Sequence, residues 1–339
     1  MSWYQTPGKE QDVVISTRVR FARNLEDLPF VSRMEATHAE ALIQRVGAVL
    51  ETGGFIKTDF QSIPRATAYA FVEQHYASPG FIRVSLPHAL YLNEPCNLSV
   101  MLCEEDHIRL QCILPGLSLS EALAGARRVD ELLDQHVNYA YDKKGRWGYL
   151  THCPTNIGTA MRASVMLFLP ALTLGGTLSP LTVQLAQSGL SIRGIWGEGT
   201  GAAGYLYQIS NRVTLGLTEE ELIRMLQETA TALCEQERRA RASIKGEALD
   251  NLTDKIWRSL GILKFARKLP LGEFMNLLSD VRLGVAMGIL DHIQLHQLTA
   301  LFIEAMPATL TLAAEYTHAS DREMDLARGA LVRSRLGAG

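Results

Sequence analysis

Val13-Val14-Ile15-Ser16-Thr17-Arg18-Val19-Arg20-Phe21-Ala22 is a run in which apolar and polar side chains alternate. Strand side chains point to opposite faces in turn, so this spacing predicts a β-strand with Arg18 and Arg20 on one face. An arginine pair beside valine and phenylalanine needs an anionic partner, because an unpaired charge among apolar groups is costly.

Working outward, Met34 to Glu51 has helical periodicity and stops at Gly53-Gly54. Leu98–Cys103 and Ile108–Leu114 read as a hairpin closed by the acidic turn Glu104-Glu105-Asp106-His107. Ser118 or Ser120 can cap a helix expected to reach about Tyr141. Strands are expected over 147–152, 163–169, 190–196 and 205–215, with a helix over 179–188 between them. Thr218-Glu219-Glu220-Glu221 is a capping box that starts a helix running to about Ser243. Helical patterns alone follow, over roughly 248–267, 271–289, 293–305 and 321–335. Hairpins interleaved with helices and then a helical tail predict an α+β domain over 1–245 and a small all-helical domain over 246–339.

The whole chain narrows the function classes. Its 339 residues are 47% hydrophobic and 20% charged, an ordinary globular balance. A net charge of −3 argues against non-specific binding to nucleic acid or an anionic membrane, so any anion site must be a local basic cluster. Met1 to Gly8 has no basic start or apolar core, and the apolar run from Ala163 to Leu174 is too short to span a bilayer. Five cysteines without a Cys-x-x-Cys pair favour reduced thiols, and hence the cytoplasm.

Between two apolar runs lies Cys153-Pro154-Thr155-Asn156-Ile157-Gly158-Thr159, followed by Arg162. It joins a thiol, a turn, a glycine and a cation, a mixture suited to a polyanion beside a charge-bearing sulfur. Arg18, Arg20, Arg109, Arg162 and Arg193 all lie in or beside apolar strands. Such a set of cations can hold a nucleoside triphosphate without the G-x-x-x-x-G-K-[ST] loop, which the chain lacks. Gly199-Thr200-Gly201-Ala202-Ala203-Gly204 fits G-x-G-x-x-G, but strand-like Tyr205 to Ile209 follows it where a dinucleotide fold needs a helix. The glycines from 194 to 204 around Glu198 suggest a loop that closes over substrate.

Four motifs in order, Ser16–Arg20, Glu104–Arg109, Cys153–Arg162 and Arg193–Glu198, resemble those of the ATP:guanidino phosphotransferases, and among them the bacterial protein-arginine kinases. Tyr207–Asn211 and Asp280–Gly284 are further echoes. The resemblance implies a phosphagen kinase/glutamine synthetase-like antiparallel sheet flanked by helices. It also implies ATP with Mg2+, the latter held by phosphates and water and by no protein side chain. The five arginines would hold the phosphates, and His75 would touch the base, with a merely packed histidine as the competing reading.

A guanidinium stays protonated near neutrality and is a poor nucleophile until it is oriented and relieved of a proton. The resemblance gives Glu105 and Glu198 that task, with Cys153 assisting, and leaves Glu104 and Asp106 as solvated turn carboxylates. His152 and Cys153 are adjacent, so they are not read as a nucleophilic pair. Small-molecule relatives carry a helical domain before the first arginine motif, whereas this chain reaches that motif by Ser16. That layout points to protein arginine as acceptor, phosphorylated to mark proteins for a Clp-type protease in protein quality control and the stress response. Clp components, an activator protein and a homodimer through the C-terminal helices are the partners implied. A kinase of free arginine and a non-catalytic phosphoarginine-binding adaptor are the alternatives. Cys103 stands where the family has asparagine. Met324-Asp325-Leu326-Ala327-Arg328-Gly329 keeps one arginine of the R-D-x-x-R-A phosphoarginine motif, so Asp325 and Arg328 are read as a helix-surface ion pair in preference to an allosteric site.

Overall fold

The alternating strand is Val14–Arg23 (β1), and it lies inside an eight-stranded antiparallel sheet in the computed structural model, which describes residues 2–194, 203–315 and 320–337. The other strands are Ile56–Asp59 (β2), Ala89–Leu92 (β3), Leu98–Leu102 (β4), Ile108–Pro115 (β5), Met161–Phe168 (β6), Leu190–Gly194 (β7) and Leu206–Asn211 (β8). Their order is β2-β3-β4-β5-β1-β6-β8-β7, and β1 pairs with β5 on one side and β6 on the other.

Around it the described residues form helices Ala36–Thr52 (α1), Arg65–Glu73 (α2), Leu119–Asp134 (α3), Pro170–Leu174 (α4), Leu178–Gln187 (α5) and Glu219–Ser243 (α6). Glu247–Phe265 (α7), Leu271–Ala286 (α8), Leu295–Glu304 (α9), Pro307–Ala313 (α10) and Asp321–Leu336 (α11) complete the chain. The fold is α+β, as the sequence predicts.

Each face of the sheet has its own task. Val19, Phe21, Leu110, Cys112, Ala163, Val165 and Ile209 point to the face covered by α1, α3 and α6, and join one large core. On the other face a second core, with Trp3, Ile15, Ile113, Met166 and Phe168, carries the sheet onto Leu283 of α8 and Ile303 of α9. A third core binds α7, α8, α9 and α11 together. The α6 helix is anchored by Glu237, whose carboxylate accepts the backbone N–H groups of Ala171 and Leu172 and the Nε–H of Arg241.

Several expectations shift. The α3 helix ends at Asp134, short of Tyr141, because the chain leaves it to pair Tyr139 with Leu25 and Tyr141 with Tyr149. Residues 147–152 make only isolated bridges, since Gly148 and Gly158 bring two turns into contact in place of a ladder. The last strand stops at Asn211, whose side chain donates to the carbonyls of Met161 and Val213 and turns the chain. Helices α2 and α10 and strands β2 and β3 carried no sequence expectation. Glu73 at the end of α2 receives the N–H groups of Ala308 and Thr309 at the start of α10, a contact between segments far apart in the chain.

Candidate active site

Register places the arginines. Arg20 lies opposite Arg162 of β6 and Gln111 of β5, and Ala22 lies opposite Arg109. Arg193 pairs with Gln208 of β8, and Gln208 with Met166 of β6. Counting by twos, Arg18, Arg20, Arg109, Arg162 and Arg193 all project from the same face of the sheet. Five guanidinium groups on one surface repel one another, and at Arg18, Arg20 and Arg162 burial adds to the repulsion. Burial and the charges of Arg109 and Arg162 pull Arg18 down to about 10. Arg20 falls well below its ordinary value through burial and then Arg18, Arg109 and Arg162. Burial and Arg193 lower Arg162.

Two of these arginines hold buried donors with nothing to receive them. The Nε atoms of Arg20 and Arg162 have no hydrogen-bond partner among the described residues. Arg162 offers Nη2 only a long bond of 3.4 Å to Ser210 Oγ, and Arg18 reaches Gln208 Oε1 at 3.2 Å. Buried donors are nearly always satisfied, so unsatisfied guanidinium atoms pointing into a cleft fit an anionic ligand. The cleft, about 490 Å³, is lined by Arg20, Arg109, Arg162, Glu104, Glu105, Asp106, Asn156 and Thr214 among others.

The three carboxylates of the β4–β5 turn differ sharply. Glu104 is largely buried: its Oε1 accepts from Arg109 Nη1 at 2.6 Å and Ser78 Oγ at 2.5 Å, and its Oε2 from the Glu105 N–H at 2.6 Å. Burial opposes its charge, yet Arg109 and these bonds hold its carboxyl below the usual range. Asp106 is also buried, and its Oδ1 accepts Asn24 Nδ2 at 2.6 Å and the His152 N–H at 2.7 Å. Neither is the solvated turn residue expected from the sequence. Glu105 alone stands exposed at the cleft. Partial burial, with Asp106 and Glu104 adding like charge, raises its pKa against the opposing pull of Arg109 and His152.

Sequence reasoning therefore missed Glu104, Asp106 and Asn24. Asn24 Oδ1 accepts the His107 N–H, and His107 Nδ1 accepts the Leu25 N–H, which leaves its Nε2–H for the Pro29 carbonyl. This network ties the end of β1, the Glu105 turn and the Cys153 segment together. A buried carboxylate beside a called functional one was the available signal, but three adjacent acids look alike until burial separates them.

Cys153 begins the turn Pro154–Asn156, with its Sγ 3.0 Å from Thr155 Oγ1. Asn156 of that turn lines the cleft; Cys153 is at its border and not among the lining residues. Thr214 Oγ1 clamps the turn by donating to the carbonyl oxygens of Thr155 and Ile157. Gly158 sits at φ 101°, where a side chain would meet Thr214 O at 2.3 Å, so only glycine allows the approach. The His152 ring packs edge-on against Phe30, 6.1 Å between centroids.

Arg18 occupies an adjoining recess with His75, Ser164, Met166 and Gln208. His75 has φ 67°, and burial followed by the Arg18 charge takes its pKa down to about 3, so it is neutral at ordinary pH. Beyond it lies a narrow, largely apolar pocket between Trp3, Met166, Phe168 and Leu206 on one side and Leu278 and Phe302 on the other. Glu198 and most of the glycine-rich loop lie outside the described residues. Asp325 and Arg328 are not brought to the cleft. In their ion pair, 3.1 Å long, Arg328 is buried and Asp325 half-buried: Arg328 also donates to the carbonyls of Ala305 and Leu269 and fastens α11 to the helical bundle. Among the described residues no group of three His, Cys, Asp or Glu is placed to hold a metal ion.

A sheet that presents a face of arginines beside a carboxylate and a thiol turn is suited to hold a polyanion next to a second, cationic group. The substrate-free duplicated taurocyamine kinase of Schistosoma mansoni has the same fold, with a TM-score of 0.61 and 21% identity over 81% of this chain and 46% of its own. Residues 41–240 match the ATP:guanido phosphotransferase C-terminal catalytic domain, and residues 249–338 match the Protein-arginine kinase McsB C-terminal domain. A protein-arginine kinase of Desulforamulus reducens is 41% identical, covering 98% of this chain and 95% of its own length. One from Halothermothrix orenii is 38% identical over 98% and 96%. The chain belongs to the ATP:guanido phosphotransferase family, in its protein-arginine kinase branch.

Proposed function

We propose that the protein transfers the γ-phosphoryl group of ATP to the guanidinium of arginine side chains in proteins. The observation that carries this reading is the arginine face with its unpartnered Nε donors, set directly beside Glu105. Arg18, Arg20, Arg109, Arg162 and Arg193 hold the phosphates, and Glu104 keeps Arg109 aimed at them. The magnesium ion enters as part of the nucleotide substrate. The base lies toward His75, whose neutral ring can pack on it without adding a sixth positive charge.

Glu105 and Glu198 orient the acceptor guanidinium, and Cys153 meets it from the bordering turn. A nitrogen of the acceptor attacks the γ-phosphorus. The N–P bond forms as the bond to the bridging oxygen breaks, and that electron pair leaves with ADP. The nitrogen's proton passes to the Glu105 carboxylate, whose raised pKa suits it to receive one. Phosphoryl transfer depends mainly on positioning and on neutralising the phosphate oxygens, which is what a fixed arginine array supplies.

The catalytic domain is assigned to 1–245 and the helical domain to 246–339, supported by the break at Ile244 to Gly246 between α6 and α7. Among the described residues no helix is long and apolar enough to cross a membrane. ATP use and free thiols suit the cytoplasm. Marking proteins for a Clp-type protease, an activator protein and a homodimer rest on the family resemblance alone. So does an allosteric phosphoarginine site, and the buried, fully engaged Arg328 speaks against one here.

Incubation with labelled ATP and casein or free arginine tests the reading. Acid-labile label on casein is expected. Label on arginine alone would make the protein a small-molecule kinase, and no label on either would leave it a binding protein.

A further inference from the structure

The segments next to the cleft-lining residues Asn156 and Thr214 carry apolar side chains that stand exposed. Three short segments lie edge to edge there. The Gly158 N–H donates to the Trp147 carbonyl at 2.8 Å, the Tyr149 N–H to the Gly158 carbonyl at 2.8 Å, and the Thr159 N–H to the Thr214 carbonyl at 2.9 Å. Two glycines permit this: a side chain at Gly148 would meet Gly158 O at 2.3 Å, and one at Gly158 would meet Thr214 O. The result is a ledge in which Thr214 is pinned inward and lines the cleft. Its neighbours Val213 and Leu215, and Trp147 across the ledge, are therefore turned outward, 44%, 38% and 46% exposed. Phe30, 36% exposed, packs against the ring of His152, the residue before Cys153.

Exposed large apolar groups on several segments that adjoin one polar cleft are not needed for stability, and each costs solvation that burial by a partner would recover. The cleft itself indicates the partner. An arginine side chain that enters beside Glu105 and Cys153 leaves its own backbone at the mouth, between Phe30 and the ledge.

We propose that Trp147, Val213 and Leu215 on one side and Phe30 on the other bind the residues flanking the target arginine in an extended protein segment, and favour apolar residues there. This deepens the kinase reading and rests on it. The surface fits chains that expose apolar residues beside arginine, as unfolded segments do and charged native surfaces do not.

The test uses the full-length enzyme, ATP and two peptides alike except that leucines or serines flank the single arginine. The wild type is expected to show a KM about tenfold lower for the leucine peptide, the worth of roughly one buried apolar side chain. Leu215→Ser, Trp147→Ser and Phe30→Ser should each narrow that gap by raising the leucine-peptide KM, with kcat on the serine peptide and the KM for ATP unchanged. The three changes lie on separate segments, so misfolding of one leaves the others to decide. Equal KM values in the wild type, or variants that keep the full gap, would overturn the proposal. Leucine preference kept while size-exclusion shows a dimer lost in Leu215→Ser would assign the ledge to a second copy and overturn it as well. No transfer to either peptide by the wild type would instead sink the kinase reading.

Discussion

Arg20 and Arg23 lie three residues apart on β1 and point to opposite faces of the same sheet, and their surroundings could hardly differ more. Arg23, 1% exposed, gives Nε and Nη2 to Asp130 Oδ2, Nη1 to the carbonyls of Ala22 and Thr159, and its flat face to Tyr149 at 3.6 Å. Arg20 has three other arginines as its charged neighbours, Glu104 as a weaker counterweight, and an unpartnered Nε. The first is a cation that the fold has completed, and the second awaits an anion. Arg328 in the helical bundle belongs with Arg23, and Arg162 with Arg20. Burial and charge therefore do not separate the two classes; at Arg20 and Arg162 the difference is an unfilled donor on a side chain that lines the cleft.

The comparison breaks most visibly if these arginines are emptied of charge. Arg20→Met should reduce phosphoryl transfer by about a thousandfold or more, the usual scale for a phosphate-holding arginine. The ligand-free variant should melt no lower than the wild type, because a repelled, partly desolvated cation has been removed. A marked fall in melting temperature with near-normal turnover would move Arg20 into the structural class.

Arg328→Met should do the reverse. It leaves the Ala305 and Leu269 carbonyls without their donor and Asp325 with Lys268 alone, and should cost about 2 kcal/mol or more in urea unfolding, while turnover per folded molecule stays within a factor of two. Unchanged stability there would erase the distinction from the other side.

A smaller effect concerns the protonation of the cation face. The folded protein holds His75 at about 3, far below its unfolded value near 6.5, and burial lowers His107 too. A histidine kept neutral by the fold lends stability that is complete above about pH 6.5 and is lost progressively as the pH falls toward 3. Thermal midpoints should therefore drop through that window, and His75→Gln should flatten part of the slope. An identical slope in the variant would show that Arg18 and the recess do not hold His75 neutral.

The alternation in Val13 to Ala22 and the hairpin around Glu104 were readable because strand periodicity and turn chemistry are local. The sharp start of α6 was readable for the same reason, since Thr218 and Glu221 satisfy each other's backbone groups within one turn. The short strands β2 and β3 were not, because four-residue strands carry too little pattern and owe their existence to pairing with each other and, for β3, with β4. The end of α3 was misplaced because Tyr139 and Tyr141 suit a helix in isolation and leave it only to meet Leu25 and Tyr149.

The site divides along the same line. By itself the sequence determined which residues carry cations, that Arg18 and Arg20 share a face, and that a thiol turn precedes Arg162, since these follow from residue type and spacing. Only the tertiary structure decided that five arginines from four strands share one surface, because register between distant strands is set by packing and not by any one of them. It also decided that Glu104 and Asp106 face inward while Glu105 faces the cleft, and that Arg328 is spent on its own bundle. Whether a charge has a partner is a property of the space around it, and that space is assembled from segments the chain brings together only on folding.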